Sequence, residues 1–261
     1  MIRKMLYAEV IMLDDLTPTI VTGSPERDSC MVLPAKLPVG SLVALVANTH
    51  RVVVRVAELA GHGRRLTPAD KWRLVQDNFP IGPQLNDDTH IFDGAIFENS
   101  AERRCFMMVA LPRMVAESIG EMAVEKWGKV HKFARLDTIE HMLFRHFANT
   151  CGGKAVHPLK AETPVQLWVV FPQSMGFRIL HMNEGLPYGA HYISSHPELR
   201  EAELGRVWEV ATPSHVVILT RNNSDEEWIS DFVQGRGLAI EKKPLCCPAC
   251  FVGEHKAVPT G

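Results

Sequence analysis

The chain has 261 residues and a mass of 29.2 kDa, with 28 basic against 30 acidic side chains and a formal net charge of −2. At 46% apolar and 22% charged residues, it has the composition of a globular protein large enough to bury a core without disulfide or metal staples. The balanced charge excludes a protein whose main partner is a nucleic-acid backbone, because that role needs a basic excess.

The first third reads as strands and turns. Met5–Leu13 is apolar, Thr17–Thr22 follows the Asp14-Asp15 turn, and Ser29–Leu33 follows Gly23-Ser24-Pro25. Leu42–Val46 and Arg51–Leu59 make two further runs, the second alternating through Val52, Val54 and Val56. Thr67 then caps a short helix with Pro68 at its first position and Asp70 in its first turn, ending at Phe79-Pro80. Residues 82–93 read as a polar loop and Asp93-Gly94 as a turn. Ala95–Glu98 and Cys105–Leu111 follow as a hairpin. Val115–Trp127 is a helix with an apolar stripe through Val115, Ile119, Met122 and Ala123, stopped by Gly128. Lys126, Lys129, His131, Lys132 and Arg135 form a basic cluster, expected to be a solvated connector between two helices. The second of these begins at Asp137, where Asp137-Thr138-Ile139-Glu140 has capping-box form, and Cys151-Gly152-Gly153 closes it.

The last hundred residues are the most regular. Val165–Phe171, Gly176–Met182 and Ala190–Ser194 are strands, Pro197–Ala211 is a helix and Val216–Thr220 a strand. Ser224–Gln234 is a second helix with a Ser224…Glu227 box, and Leu238–Glu241 is a last strand. Three meandering strands followed by alternating helix and strand is the order of a ribonuclease-H-like unit. The first half reads as a looser unit of the same kind. The expected fold is therefore α/β with two ribonuclease-H-like subdomains, mixed sheets flanked by helices: residues 1–136, a hinge helix at 137–153, residues 154–243, and a Cys-containing tail at 244–261.

The central block carries a resemblance. Leu42–Leu59 (LVALVANTHRVVVRVAEL), the helix after Thr67, the run CFMMVALPRMVAESIGEMAVEKWG and the helix LDTIEHMLFRHF follow one another in an order similar to the actin-like proteins of type IV pilus and type II secretion assembly, the PilM, MshI and GspL families. The resemblance covers roughly residues 40–150, and the tail unit supports it. It implies two halves around a cleft, protein partners that include membrane-associated assembly components, and a place at the inner face of the membrane. Actin-like ATPases cradle phosphates with a glycine-rich loop on the first hairpin of each half. Here Phe171-Pro172-Gln173 stands at that place in the second half, and the first strand of the first half meets no glycine before Gly23. The expectation is a non-catalytic scaffold with no cofactor. The alternative is a switch or ATPase holding ATP and Mg²⁺, in which case Asp14, Asp15, Asp93 or Asp137 would line the cleft.

The remaining candidates are local. Cys246, Cys247, Cys250 and His255 would supply four soft ligands to zinc, although a structural zinc site normally pairs two Cys-x2-Cys knuckles and this chain has one. His141 and His146 lie about 140° apart around a helix, which is not zinc-protease spacing, so His146 is expected partly buried and His141 exposed. Gly61-His62-Gly63-Arg64-Arg65 reads as a solvated loop. No acid lies within Val165–Met182, which excludes a two-metal nuclease built on that unit, and no Gly-x-Ser-x-Gly elbow appears. The longest uncharged stretch, Thr163–Phe177, falls short of the roughly 20 residues that span a bilayer, and Glu9, Asp14 and Asp15 interrupt any signal-peptide core, so the expected location is cytoplasmic.

Overall fold

The computed structural model describes residues 5–12, 18–21, 42–59, 67–78, 85–98, 103–128, 132–151, 166–220 and 227–245. The expected strand at Ser29–Leu33, the Gly61–Arg65 loop, Ser224, Asp14, Asp15 and the cysteine tail lie outside them. The chain groups into two compact units, one of residues 1–49, 114–146 and 246–261, the other of residues 50–113 and 147–245.

In the first unit, β1 (Met5–Met12), β2 (Pro18–Val21), β3 (Leu42–Asn48) and β7 (Lys132–Thr138) form a sheet of order β2-β1-β3-β7. β1 and β2 are antiparallel, while β1, β3 and β7 run parallel. The fully apolar run of β3 is buried from Val43 to Ala47, as a central parallel strand requires. Helix α2 (Arg113–Trp127) buries Val115, Ile119, Ala123 and Trp127, one residue every four, and ends where Gly128 adopts φ +75° and donates its N–H to the Val124 carbonyl. β7 corrects the sequence reading: Lys132 and Arg135 do not belong to a connector but to a strand paired with β3. Lone basic residues mask a strand when its pairing partner lies far away in sequence.

The second unit holds two sheets. Strands β8 (Gln166–Gln173), β9 (Gly176–Asn183), β10 (Leu186–Ser194), β11 (His215–Thr220) and β12 (Ile240–Pro244) are ordered β10-β9-β8-β11-β12. The first three form an antiparallel meander, and β8, β11 and β12 are parallel. This is the 3-2-1-4-5 arrangement of a ribonuclease-H-like unit, and the first sheet repeats four of its five positions. Helices α4 (Pro197–Val210) and α5 (Glu227–Gln234) cover one face, with Leu204, Val207, Ile229 and Val233 packed on Trp168, Val170, Phe177, Ile179, Val216 and Ile218. Trp168 is fully buried, donates its indole N–H to the Ala211 carbonyl (2.7 Å) and meets Trp208 edge-on.

The smaller sheet has the order β4-β6-β5, all antiparallel, built from β4 (Val53–Leu59), β5 (His90–Glu98) and β6 (Arg104–Pro112). The Arg51–Leu59 run therefore joins a sheet of its own and not that of the preceding strands. Helix α1 (Pro68–Asn78) supplies Val75 to a core of Phe106, Met108 and Ala110. Its capping box is closed: Thr67 Oγ1 accepts the Asp70 N–H, and Asp70 Oδ2 accepts the Thr67 N–H. Asp93-Gly94 is not a turn but mid-strand, paired with Val109 and Met108. A Cβ at Gly94 would run into the Phe106 ring and come within 2.9 Å of the Met107 carbonyl oxygen, so glycine is the residue that admits the ring there.

Candidate functional site

In open α/β sheets, ligands bind beyond the carboxyl ends of parallel strands. In the first unit those ends carry a buried polar cluster. β3 finishes at Asn48, followed by Thr49, and β7 at Asp137 and Thr138, with Ala47 paired to Thr138. Asn48, Thr49, Thr138, Glu140 and His141 are all buried, and the Asp137 side chain is 9% exposed. Helix α3 (Ile139–Cys151) starts two residues later than expected, because Thr138 caps it by accepting the His141 N–H on Oγ1 (3.3 Å). Asp137 Oδ1 instead accepts the Thr138 N–H (3.0 Å) and lies 2.8 Å from His141 Nδ1.

This overturns the expectation of an exposed His141. The i, i+4 spacing brings its ring onto Asp137, whose carboxylate lies within hydrogen-bond distance of Nδ1. His146, as expected, is partly buried. Of the four candidate cleft acids, Asp137 is placed in this cluster and Asp93 stands exposed in the middle of β5, while Asp14 and Asp15 lie outside the described residues, as do Cys246, Cys247, Cys250 and His255. Among the described residues, no group of three or more His, Cys, Asp or Glu side chains is placed to hold a metal ion.

The corresponding hairpin of the second unit is tight. Gln173 pairs with Gly176, so Ser174 and Met175 alone make the turn between β8 and β9. The Met175 carbonyl accepts the Ser195 N–H (2.9 Å), and a Cβ on Gly176 would strike the Ile193 carbonyl. The end of β10 is thus closed down on the turn.

Other functional-type side chains escaped the sequence reading. Arg178, in the middle of apolar β9, is buried and donates to the carbonyls of His50 (3.2 Å) and Val52 (2.8 Å), tying the start of β4 to the meander. Its guanidinium also lies near the Tyr192 ring, and Tyr192 contacts His50. Farther along β9, His181 is hydrogen-bonded to Gln166 (2.5 Å) and packs edge-on against Tyr188. Burial, reinforced by His191, holds its pKa down at about 4. The lone Arg in the run Phe177–Met182 was the available signal for this anchor. Arg103 bridges two carboxylates, Glu58 on β4 and Glu184 on the β9–β10 turn. Glu184 (φ +50°) and Gly185 (φ +77°) are both left-handed, as a type I′ hairpin turn needs.

No family model matches the chain, and no curated protein does either. Solved structures do. A protein of actin-like ATPase fold and unknown function from Bacteroides thetaiotaomicron VPI-5482 superposes with a TM-score of 0.51 at 8% identity, over 95% of this chain and 94% of that one. A chain of the PilM–PilN type IV pilus biogenesis complex superposes with a TM-score of 0.50 at 10% identity, over 90% of this chain and 87% of that one. The cytoplasmic domain of EpsL, an inner membrane component of the type II secretion system of Vibrio cholerae, gives 0.46 at 9% identity, with 94% and 92% covered. Strand order in both larger sheets and the whole-length superpositions together identify the architecture: the chain has an actin-like fold of ribonuclease-H-like type.

Proposed function

We propose that this chain is a non-catalytic, actin-like scaffold that docks protein segments in a membrane-associated assembly apparatus such as a pilus or secretion system. The observation that carries the reading is the β8–β9 connection, where a two-residue Ser-Met turn is pinned by Ser195 at the place a glycine-rich anion cradle would occupy. The similarity to a chain of the PilM–PilN complex favours an assembly setting. No described helix is long and apolar enough to cross a membrane.

A second reading has one observation in its favour. Asn48, Thr49 and Asp137 place amide, hydroxyl and carboxylate groups at the carboxyl ends of parallel strands, where a nucleotide-dependent switch would hold its ligand. Thermal unfolding with and without millimolar Mg-ATP, Mg-ADP and Mg-GTP decides between them. A nucleotide at 100 times its dissociation constant adds about 2.7 kcal/mol, or roughly 2–4 °C per kcal/mol for a chain of this size. The scaffold reading expects no shift. A clear upward shift that Asp137→Asn abolishes would refute it and establish the switch.

A further inference from the structure

We infer that the outer edge of β5 accepts an extended segment of a protein partner, alternately apolar and basic, by strand addition. The inference rests on the docking reading above and names its surface. An outermost strand offers a row of backbone donors and acceptors, and proteins guard such edges with proline, basic side chains or bulges. Among the described residues, the other outermost strands are guarded. β2 carries Pro18, and β12 carries Lys242, Lys243 and Pro244. β7 has a register shift where it meets β3, and β10 carries Pro187 and a register shift before Gly189. β4 carries Arg55 and has its leading end held by Arg178. β5 has no proline, basic side chain or bulge, and its charged residues are the acidic Asp93 and Glu98: nine residues, HIFDGAIFE, pair with β6 in unbroken register.

The direction of its backbone groups follows from alternation. Thr89 turns its carbonyl to the Arg113 N–H on the β6 side, so Ile91, Asp93, Ala95 and Phe97 also face β6. Gly94, Ile96 and Glu98 therefore point outward. The Gly94 N–H is covered by the strand's own Asp93 carboxylate (2.7 Å), a bond that an incoming carbonyl can replace, freeing Asp93 to face the partner.

The two faces of this edge select different side chains. On the α1 side, Trp72, 38% exposed, meets Phe92 edge-on and offers an apolar surface. On the other side stands exposed Asp93, while Glu98 at the end of the strand is already paired with Arg104 (3.4 Å). Cross-strand neighbours of opposite charge are favourable and like charges opposed are not, so a second copy of this strand is disfavoured while a segment with Lys or Arg opposite Asp93 fits.

The test uses the full chain with two synthetic nine-residue peptides, one alternating Val and Lys, the other Val and Glu, read by amide hydrogen exchange along β5. The Val–Lys peptide should slow exchange at Ile96 and Glu98, and the Val–Glu peptide should not. Asp93→Lys, at an exposed position, should reverse the preference, weakening the Val–Lys peptide roughly fivefold. Protection by neither peptide, or equal protection by both that Asp93→Lys leaves unchanged, would overturn the inference. So would protection that appears on concentrating the chain alone, which would mean self-pairing. A nucleotide-induced thermal shift would refute the scaffold reading without altering the β5 result, so the two failures are separable.

Discussion

Replacing Gly94 with alanine should open the small sheet. The added Cβ would lie 2.6 Å from Phe106 Cε2 and 2.9 Å from the Met107 carbonyl oxygen, both well inside contact distance. Neither neighbour yields easily. The Phe106 ring is fully buried in the core with Val75, Met108 and Ala110, and the Met107 carbonyl is backbone of the central strand. Overpacking of this kind reaches about 3 kcal/mol when the surroundings cannot shift. Amide exchange along the β5–β6 ladder reads the loss locally: about 3 kcal/mol corresponds to roughly a hundredfold faster exchange. Adding Phe106→Leu to Gly94→Ala should recover part of it, with a coupling of about 1 kcal/mol or more, because the shorter side chain vacates the space above residue 94. An acceleration of less than about tenfold, or strictly additive variants, would refute the claim that Gly94 exists to admit the ring.

Arg178→Met should destabilise the protein by about 3 kcal/mol, since it strips two buried carbonyls of a charged donor; a urea midpoint within error of the parent chain would contradict the anchor role. The Cys105 thiol, pushed up to about 12 chiefly by burial, should resist iodoacetamide at pH 8 in the native protein and react once urea is added, as mass spectrometry of its peptide would show. His181 should stay neutral in the folded protein down to about pH 4. Because the unfolded chain takes up this proton near 6.5, the contribution of His181 is fully present above pH 6.5 and is lost as pH falls toward 4. His181→Gln should flatten stability against pH in that window, and an unchanged slope would show that the group does not control it.

Much of the last hundred residues was legible because their apolar runs are punctuated by residues that can only turn, such as Asn183-Glu184-Gly185, and because consecutive strands of the meander pair locally. Where pairing is distant, local signals misled. Lys132 and Arg135 look like a solvated connector, yet backbone pairing to β3 makes them a strand. Asp93-Gly94 is a strong turn signal, overridden because the glycine is used for the space it leaves and not for its backbone freedom. The Asp137 carboxylate stands out in the sequence but its partner does not, because the contact of His141 runs back across the capping turn to Asp137, four residues earlier, and not along the helix toward His146. Arg178 stands out as the lone Arg of an apolar run, but that signal says nothing about which carbonyls it will find.

The way the strands are distributed along the chain has a consequence for the order in which the protein acquires structure. The contacts that align β3 with β7 join Leu42 to Lys132, 90 residues apart, with the whole β4–β6 sheet synthesised in between. In the larger sheet of the other unit, the meander closes through two-residue turns, and its longest joins are Leu167 to His215 and Val216 to Ile240, 48 and 24 residues apart. Loop-closure entropy and contact order both make short-range pairings faster. On refolding from denaturant, the Gln166–Pro244 sheet should therefore gain amide protection before the pairing of β3 with β7, making the later-translated half of the chain the earlier to fold.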